Sequence, residues 1–181
     1  MKCSIVDIHT HRPTGKALEP SFAGIHPWQA ETRRIEEIVP RFGEVDLVGE
    51  IGLDYAGTVG REAQLRIFRE QLDWAERLGK PVVLHCVKAF EAVMRELAPH
   101  ALWAVIFHGF IGSSQQAAEA IKKGYYLSFG ERTFRSPRTV EALRRTPVEN
   151  LFAETDESDV PIEEISRRIA QAKDLGPELL K

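Results

Sequence analysis

Short apolar, β-branched runs recur along this chain, and each is followed by a segment with helical spacing. That alternation is the pattern of parallel βα units, in which strands are buried on both faces by the helices that connect them. The runs lie at 4–9, 22–26, 46–51, 82–86, 104–108, 125–129 and 151–155, which predicts seven strands. Between them, residues 61–78 place Leu65, Phe68, Leu72, Ala75 and Leu78 on one stripe and stop at Gly79, with Pro81 beyond. Ser113 or Ser114 can cap a helix that carries Ala117, Ala118 and Ile121 and ends at Gly124; further helices are expected at 30–39, 89–98, 137–145 and 161–175. A doubly wound open sheet would alternate in the same way as a barrel, so the placement of polar residues has to decide.

Nearly every run ends on a His, Glu or Asp: His9 and His11 in HTH, then His26, Glu50, His85, His108 and Asp156. Parallel strands present their C-terminal ends at one face, and in a closed βα barrel that face carries the active site. His9 and His11, two apart on an extended segment, share a face while Thr10 points the other way. A lone histidine at a strand end is usually structural; the set gains weight because its members fall at the same end of different strands. His9, His11, Glu50, His85, His108 and Asp156 form a nitrogen and oxygen donor set without thiolate, suited to zinc, manganese, nickel or iron, whereas magnesium normally takes fewer histidines. Six donors exceed what one tetrahedral zinc needs, which favours two ions sharing a bridging carboxylate, read as Glu50, and a bridging water.

Composition limits the partners. With 181 residues, 43% hydrophobic, 28% charged and a net charge of -3, the chain reads as a single globular domain over 1–181 that does not coat nucleic acid by bulk charge. Cys3 and Cys86 supply neither a disulfide framework nor a CxxC pair, and both are read as buried thiols. No long apolar stretch marks a leader or a membrane span, so a cytoplasmic protein is expected.

The ordered segments DIHTH (7–11), GIHPW (24–28), VGEIGLDY (48–55), PVVLHCVKAF (81–90), FHGFIGS (107–113) and FAETD (152–156) resemble the motifs of TatD-type metal-dependent hydrolases across almost the whole chain. The resemblance implies an α/β fold, a distorted TIM-like βα barrel with a centre of one or two divalent ions (Zn, Mn, Mg or Ni), and phosphodiester hydrolysis of the deoxyribonuclease kind. By matching motifs, one ion takes His9, His11, Glu50 and Asp156 and the other takes Glu50, His85 and His108. Asp156 is placed to accept the proton of the attacking water, giving Asp156 and Glu50 the catalytic roles. His26 either orients the phosphate or is structural. Arg12, Lys88 and Arg132 follow strand ends, as counter-charges for a phosphate or as solvated loop cations, and Trp28 either stacks on a base or covers the core edge.

The chain also departs from the family pattern. Residues 12–21, with Pro13, Gly15 and Pro20, leave no room for a crossover helix, so one βα unit is missing near the N-terminus; the gap calls for a loop, tighter strands or a homo-oligomer to complete the barrel. The second histidine of the usual HPH is Trp28, and the Arg and Asp that often follow the strand histidine are Val87 and Lys88. These changes bear on substrate rather than on metal. They leave two alternatives to a DNA-cleaving enzyme: a metallohydrolase of small-molecule esters or amides, and a non-catalytic metal-binding scaffold.

Overall fold

The computed structural model describes residues 5–176, and the Cys3 thiol lies outside them. In chain order the elements are β1 (Phe22–Ala23), α1 (Val39–Phe42), β2 (Leu47–Asp54), α2 (Arg61–Leu78), β3 (Val82–Val87), α3 (Phe90–Leu97), β4 (Val105–Phe107), α4 (Ser114–Lys122), β5 (Tyr126–Phe129), α5 (Pro137–Arg145), β6 (Leu151–Ala153) and α6 (Ile162–Ala172). The class is α/β, as expected, and the described strand pairings are parallel. Contacts divide the chain into two compact units, Ser21–Phe107 and the remainder on either side of it. Among the described residues, no helix is long and apolar enough to cross a membrane.

In the unit of residues 21–107, β1 pairs with β2, β2 with β3 and β3 with β4. All eight residues of β2 are buried, the two-sided burial of a parallel strand, with Glu50 and Asp54 as its only charged members. Its register against β3 slips by one residue between Val48↔Val82 and Ile51↔Leu84. Without that bulge Glu50 would fall level with Leu84; with it, Glu50 falls level with Val83 and so shares the face of His85. Just beyond, Gly52 has a φ of +140°, and a Cβ there would lie 2.0 Å from the His85 carbonyl oxygen, so only glycine lets the two strands approach.

Helix α2 begins and ends at the expected residues and is closed by Gly79 in the left-handed conformation. Its buried face differs from the predicted stripe. Ile67, Phe68, Leu72 and Ala75 are buried, each large side chain contributing about 1.5–3 kcal/mol, but Gln64 and Gln71 are buried as well while Leu78 is exposed. The two glutamines are inside because they bond backbone of neighbouring segments. Gln71 accepts from Ile25 N–H at 2.6 Å and donates to Ile25 O at 3.1 Å. Gln64 accepts from Asp54 N–H at 2.7 Å and donates to the Asp54 and Val59 carbonyls, each at 2.9 Å. The helix expected at 30–39 is reduced to a 3-10 turn at Ile35–Glu37 followed by α1, where Pro40, lacking an N–H, can open a helix but not continue one.

In the other unit, β5 pairs with β6 from Leu127↔Leu151 to Phe129↔Ala153. The run expected as a first strand is extended but bent, making isolated parallel bridges at Val6–Leu18 and Thr10–Asp156. Backbone bonds such as Ile8 N–H to Ala153 O at 3.2 Å hold it beside β6, and a side chain adds to them: the buried Asp7 carboxylate accepts from Thr155 N–H at 2.9 Å and Thr155 Oγ1 at 2.6 Å. The chain therefore has six ladder strands and one bridging segment among the described residues, not seven ladder strands. Ser113, not Ser114, caps α4 in a reciprocal box with Gln116. Ile162, Ile165 and Ile169 bury one face of α6.

Candidate metal centre

The bulged strand β2 and its neighbour β3 bring three donors together in the 21–107 unit. His85 Nδ1 lies 2.8 Å from Glu50 Oε1, and His26 Nε2 lies 3.5 Å from the same oxygen. The donor atoms of His26, Glu50 and His85 all fall within 4.8 Å of one another. His26, expected either to orient the phosphate or to be structural, thus stands beside Glu50 and His85. Its other nitrogen, Nδ1, accepts from Trp28 N–H at 3.2 Å and closes the 3-10 turn at Pro27–Gln29.

The back of His85 is occupied too. Its Nε2 lies 3.1 Å from Asp54 Oδ2, which also accepts the Trp28 indole N–H at 2.7 Å, while Asp54 Oδ1 accepts Ala56 N–H at 2.9 Å. Burial is the largest influence on the Asp54 carboxyl and pushes it up, but the bonds from Trp28, His85 and Ala56 and the charge of His85 outweigh it and hold the carboxyl below its ordinary value.

The second group of donors lies in the unit of residues up to 20 and from 108 on. His9 Nε2 and His11 Nε2 lie 3.8 Å and 3.6 Å from Asp156 Oδ1, and the two imidazoles meet edge to face at 5.0 Å. Backbone bonds fix this approach: Asp156 N–H donates to His9 O at 2.9 Å and His11 N–H donates to Asp156 O at 3.0 Å. Asp156 itself has a φ of +55°, a left-handed turn at the end of β6 that aspartate tolerates better than most residues. His108 lies against His9 with ring centroids 4.4 Å apart and the rings tilted by 53°, and its donors group with those of Glu154 and Asp156.

Glu154 is 1% exposed and lies 3.4 Å from His108 Nδ1, with the Ser128 hydroxyl donating to its other oxygen. Burial, again the largest influence, raises its carboxyl, yet His108, His9 and Ser128 together keep it below the ordinary value. Asp7 goes the other way: burial raises its carboxyl above the ordinary value despite the bonds from Thr155. Asp54 and Glu154 were not singled out in the sequence, although each sits inside a quoted motif. The signal was an acidic residue at the end of a buried strand or just past it, four after Glu50 in one case and two before Asp156 in the other.

Of the remaining candidates, Arg12 is exposed and pairs with Asp159 at 2.5 Å. Lys88 is exposed at the end of β3 with a φ of +51°, and Arg132 is exposed at the turn after β5. Trp28 is 63% exposed, with its ring edge against His26 at 4.5 Å. Cys86, expected as a buried thiol, is half-buried, and burial pushes its thiol up to about 12, away from the thiolate form.

Imidazole nitrogens and carboxylate oxygens, with no thiolate among them, are the donors that borderline divalent ions take. Donors bound to one such ion at about 2.0–2.2 Å lie about 3–3.5 Å from one another, close to the 2.8 Å and 3.5 Å separations that Glu50 Oε1 makes with His85 and His26. The residues therefore fit a divalent cation.

Comparison with known proteins gives a consistent result. The family model described as TatD related DNase matches residues 15–174. The match begins beyond His11, so the segment 7–11 is tied to the site by its contacts with Asp156 rather than by that alignment. The chain is 32% identical over 157 residues to the uncharacterized metal-dependent hydrolase YjjV of Escherichia coli K12, covering 80% of this chain and 61% of that protein. It is 34% identical over 149 residues to the 3'-5' ssDNA/RNA exonuclease TatD of Shigella flexneri, covering 75% of this chain and 56% of that one. The crystal structure of E. coli YjjV superposes with a TM-score of 0.80 at 24% identity, over 90% of this chain and 72% of the other, which establishes a shared fold. The chain spans about half to three fifths of the length of these curated relatives.

Proposed function

Because the chain belongs to the TatD-related DNase family, we propose that it is a metal-dependent hydrolase whose one domain cleaves phosphodiester bonds, with His9, His11, Glu50, His85, His108 and Asp156 holding one or two divalent ions. The observation that carries this reading is the donor geometry: histidines and carboxylates gather in sets of three, His9 with His11 and Asp156, and Glu50 with His85 and His26, each set within 4.8 Å and without any cysteine. A divalent cation held there supplies Lewis acidity, bringing the pKa of a water toward neutrality and countering charge that develops on phosphoryl oxygens. The protein's own groups do the rest.

Asp156 is partly exposed, and its carboxylate accepts the proton of the attacking water. Glu50, 9% exposed, keeps its carboxylate between the imidazoles of His85 and His26. Lys88 and Arg132, both exposed after strand ends, offer counter-charge to a phosphate, whereas Arg12 is already engaged by Asp159. The exposed Trp28 ring offers a face on which a base can stack, worth about 1–3 kcal/mol. Single-stranded nucleic acid is the substrate class this reading favours, with zinc, manganese, magnesium or nickel as the metal, a cytoplasmic site of action, and self-association as the route by which the shortened N-terminal region is covered.

The test is an assay of the purified protein with each of those metals against single-stranded DNA, duplex DNA and a generic phosphodiester, beside a Glu50→Ala control. Metal-dependent cleavage lost in the control supports the reading. Tight metal binding with no cleavage of any phosphodiester overturns it in favour of a scaffold or of a hydrolase of other esters.

A further inference from the structure

Beyond the ligands themselves, we infer that Asp54, anchored by the indole of Trp28, is a positioning residue that fixes which ring nitrogen of His85 is offered beside Glu50. The inference rests on the metal reading above and concerns this chain's own residues.

The imidazole of His85 lies between two carboxylates on opposite sides. Nδ1 points at Glu50 Oε1 at 2.8 Å and Nε2 at Asp54 Oδ2 at 3.1 Å. A neutral imidazole carries one N–H, so one nitrogen must donate and only the other can bind a cation. Asp54 is the partner fitted to take that N–H, because every atom around its carboxylate is already set. Oδ1 accepts Ala56 N–H, Oδ2 accepts the Trp28 indole at 2.7 Å, and its backbone N–H and C=O are both held by the buried Gln64. A carboxylate fixed on the strand in this way can only accept. It therefore holds the proton of His85 on Nε2 and leaves the lone pair of Nδ1 directed toward Glu50 and the donors grouped with it.

Trp28 gives the arrangement a feature particular to this chain. The indole N–H donates and cannot accept, so it reinforces Asp54 as an acceptor, whereas the histidine usual at this point of the motif could supply either role. The same ring is 63% exposed and lies 5.9 Å from His85 and 4.5 Å from His26. A ligand that stacks on the exposed face of Trp28 is thereby connected, through one carboxylate, to the orientation of a metal-binding imidazole.

Two variants test this on the zinc-loaded protein. Asp54→Asn is isosteric but uncharged and has one acceptor oxygen for the three N–H groups that now meet the carboxylate, those of Ala56, Trp28 and His85. Its hold on the Nε2 proton weakens, so that proton can move to Nδ1, where the cation should bind. We expect zinc affinity, measured by competition with a chromophoric chelator, to fall about 10- to 100-fold. Trp28→Phe keeps an aromatic ring, smaller than the indole, and removes the donor, and a smaller loss of a few-fold is expected. Nitrogen-15 spectra of histidine-labelled, zinc-loaded wild type should show His85 protonated on Nε2, a signature that a merely structural Asp54 would not set. Zinc affinity within twofold of wild type in Asp54→Asn, at unchanged thermal stability, or a wild-type His85 protonated on Nδ1, overturns the inference. If Asp54→Asn is too unstable to titrate, the Trp28→Phe affinity and the wild-type spectrum decide. Wild type that binds no zinc overturns the metal reading and this inference with it, whereas zinc binding without phosphodiester cleavage counts against the nuclease proposal alone.

Discussion

Gln71 is where a single substitution should reveal how the helix layer holds the site. Its side chain is fully buried on α2 and bonds both the N–H and the C=O of Ile25, a residue 1% exposed that lies just past the end of β1 and directly before His26. Methionine has nearly the same volume and shape but neither hydrogen-bonding group. Gln71→Met would leave two buried backbone groups without partners, each costing about 1–3 kcal/mol, against a return of about 1 kcal/mol for burying apolar in place of polar atoms. The expected loss is about 3 kcal/mol. With a urea m-value of about 2 kcal/mol/M, the unfolding midpoint should drop by about 1.5 M at unchanged slope. Gln71→Glu supplies a check on sign. Its carboxylate still accepts from Ile25 N–H but faces the Ile25 carbonyl, so burial and that carbonyl raise its folded-state pKa, and its penalty is full at neutral pH and shrinks as falling pH protonates the acid and restores a donor. A Gln71→Met midpoint within about 0.3 M of wild type would refute the reasoning, since it would mean the Ile25 backbone finds other partners.

Gly52→Ala should be worse than any nearby polar change. The +140° backbone costs an alanine about 1–3 kcal/mol, and its Cβ would meet the His85 carbonyl at 2.0 Å, so we expect insoluble protein or a loss above about 4 kcal/mol, checked by soluble yield and urea titration. Glu50→Ala should abolish metal-induced thermal stabilisation, which for the wild type at 100 times the dissociation constant amounts to about 2.7 kcal/mol; a melting shift retained in the variant would remove Glu50 from the ligand set. In a Cys3→Ser background, the Cys86 thiol, raised to about 12 by burial, should react with a disulfide reagent at pH 8 about a thousandfold more slowly than free cysteine; rapid native-state labelling would contradict its placement. Arg69 clamps Glu96 with bonds of 2.6 and 2.9 Å, and that hydrogen bonding holds the Glu96 carboxyl below its ordinary value. A lowered folded-state pKa contributes stability at neutral pH that disappears as pH falls through it, so the gap between wild type and Arg69→Met, measured by urea at pH 7 and near pH 3, should narrow in acid.

The sequence determined the alternation of elements, because strands buried on both faces are mostly apolar and their covering helices are amphipathic, and both patterns can be counted along a chain. It also determined the donor types, since a polar residue that ends a buried run stands out from its neighbours. Helix α2 was legible to its last residue from Gly79, and α4 from its serine cap. What it could not show is set by contacts between segments distant in the chain. The bulge that turns Glu50 toward His85 depends on how β2 lies against β3, and nothing in VGEIGLDY announces a slip of one residue. Gln64 and Gln71 look like the polar face of α2 until Asp54 and Ile25 are beside them. Asp7 is a buried carboxylate with partners only because Thr155 comes to meet it from far along the chain. Periodicity records how one segment meets an average apolar environment, whereas a hydrogen bond to a particular backbone group exists only once tertiary packing has brought that group within about 3 Å.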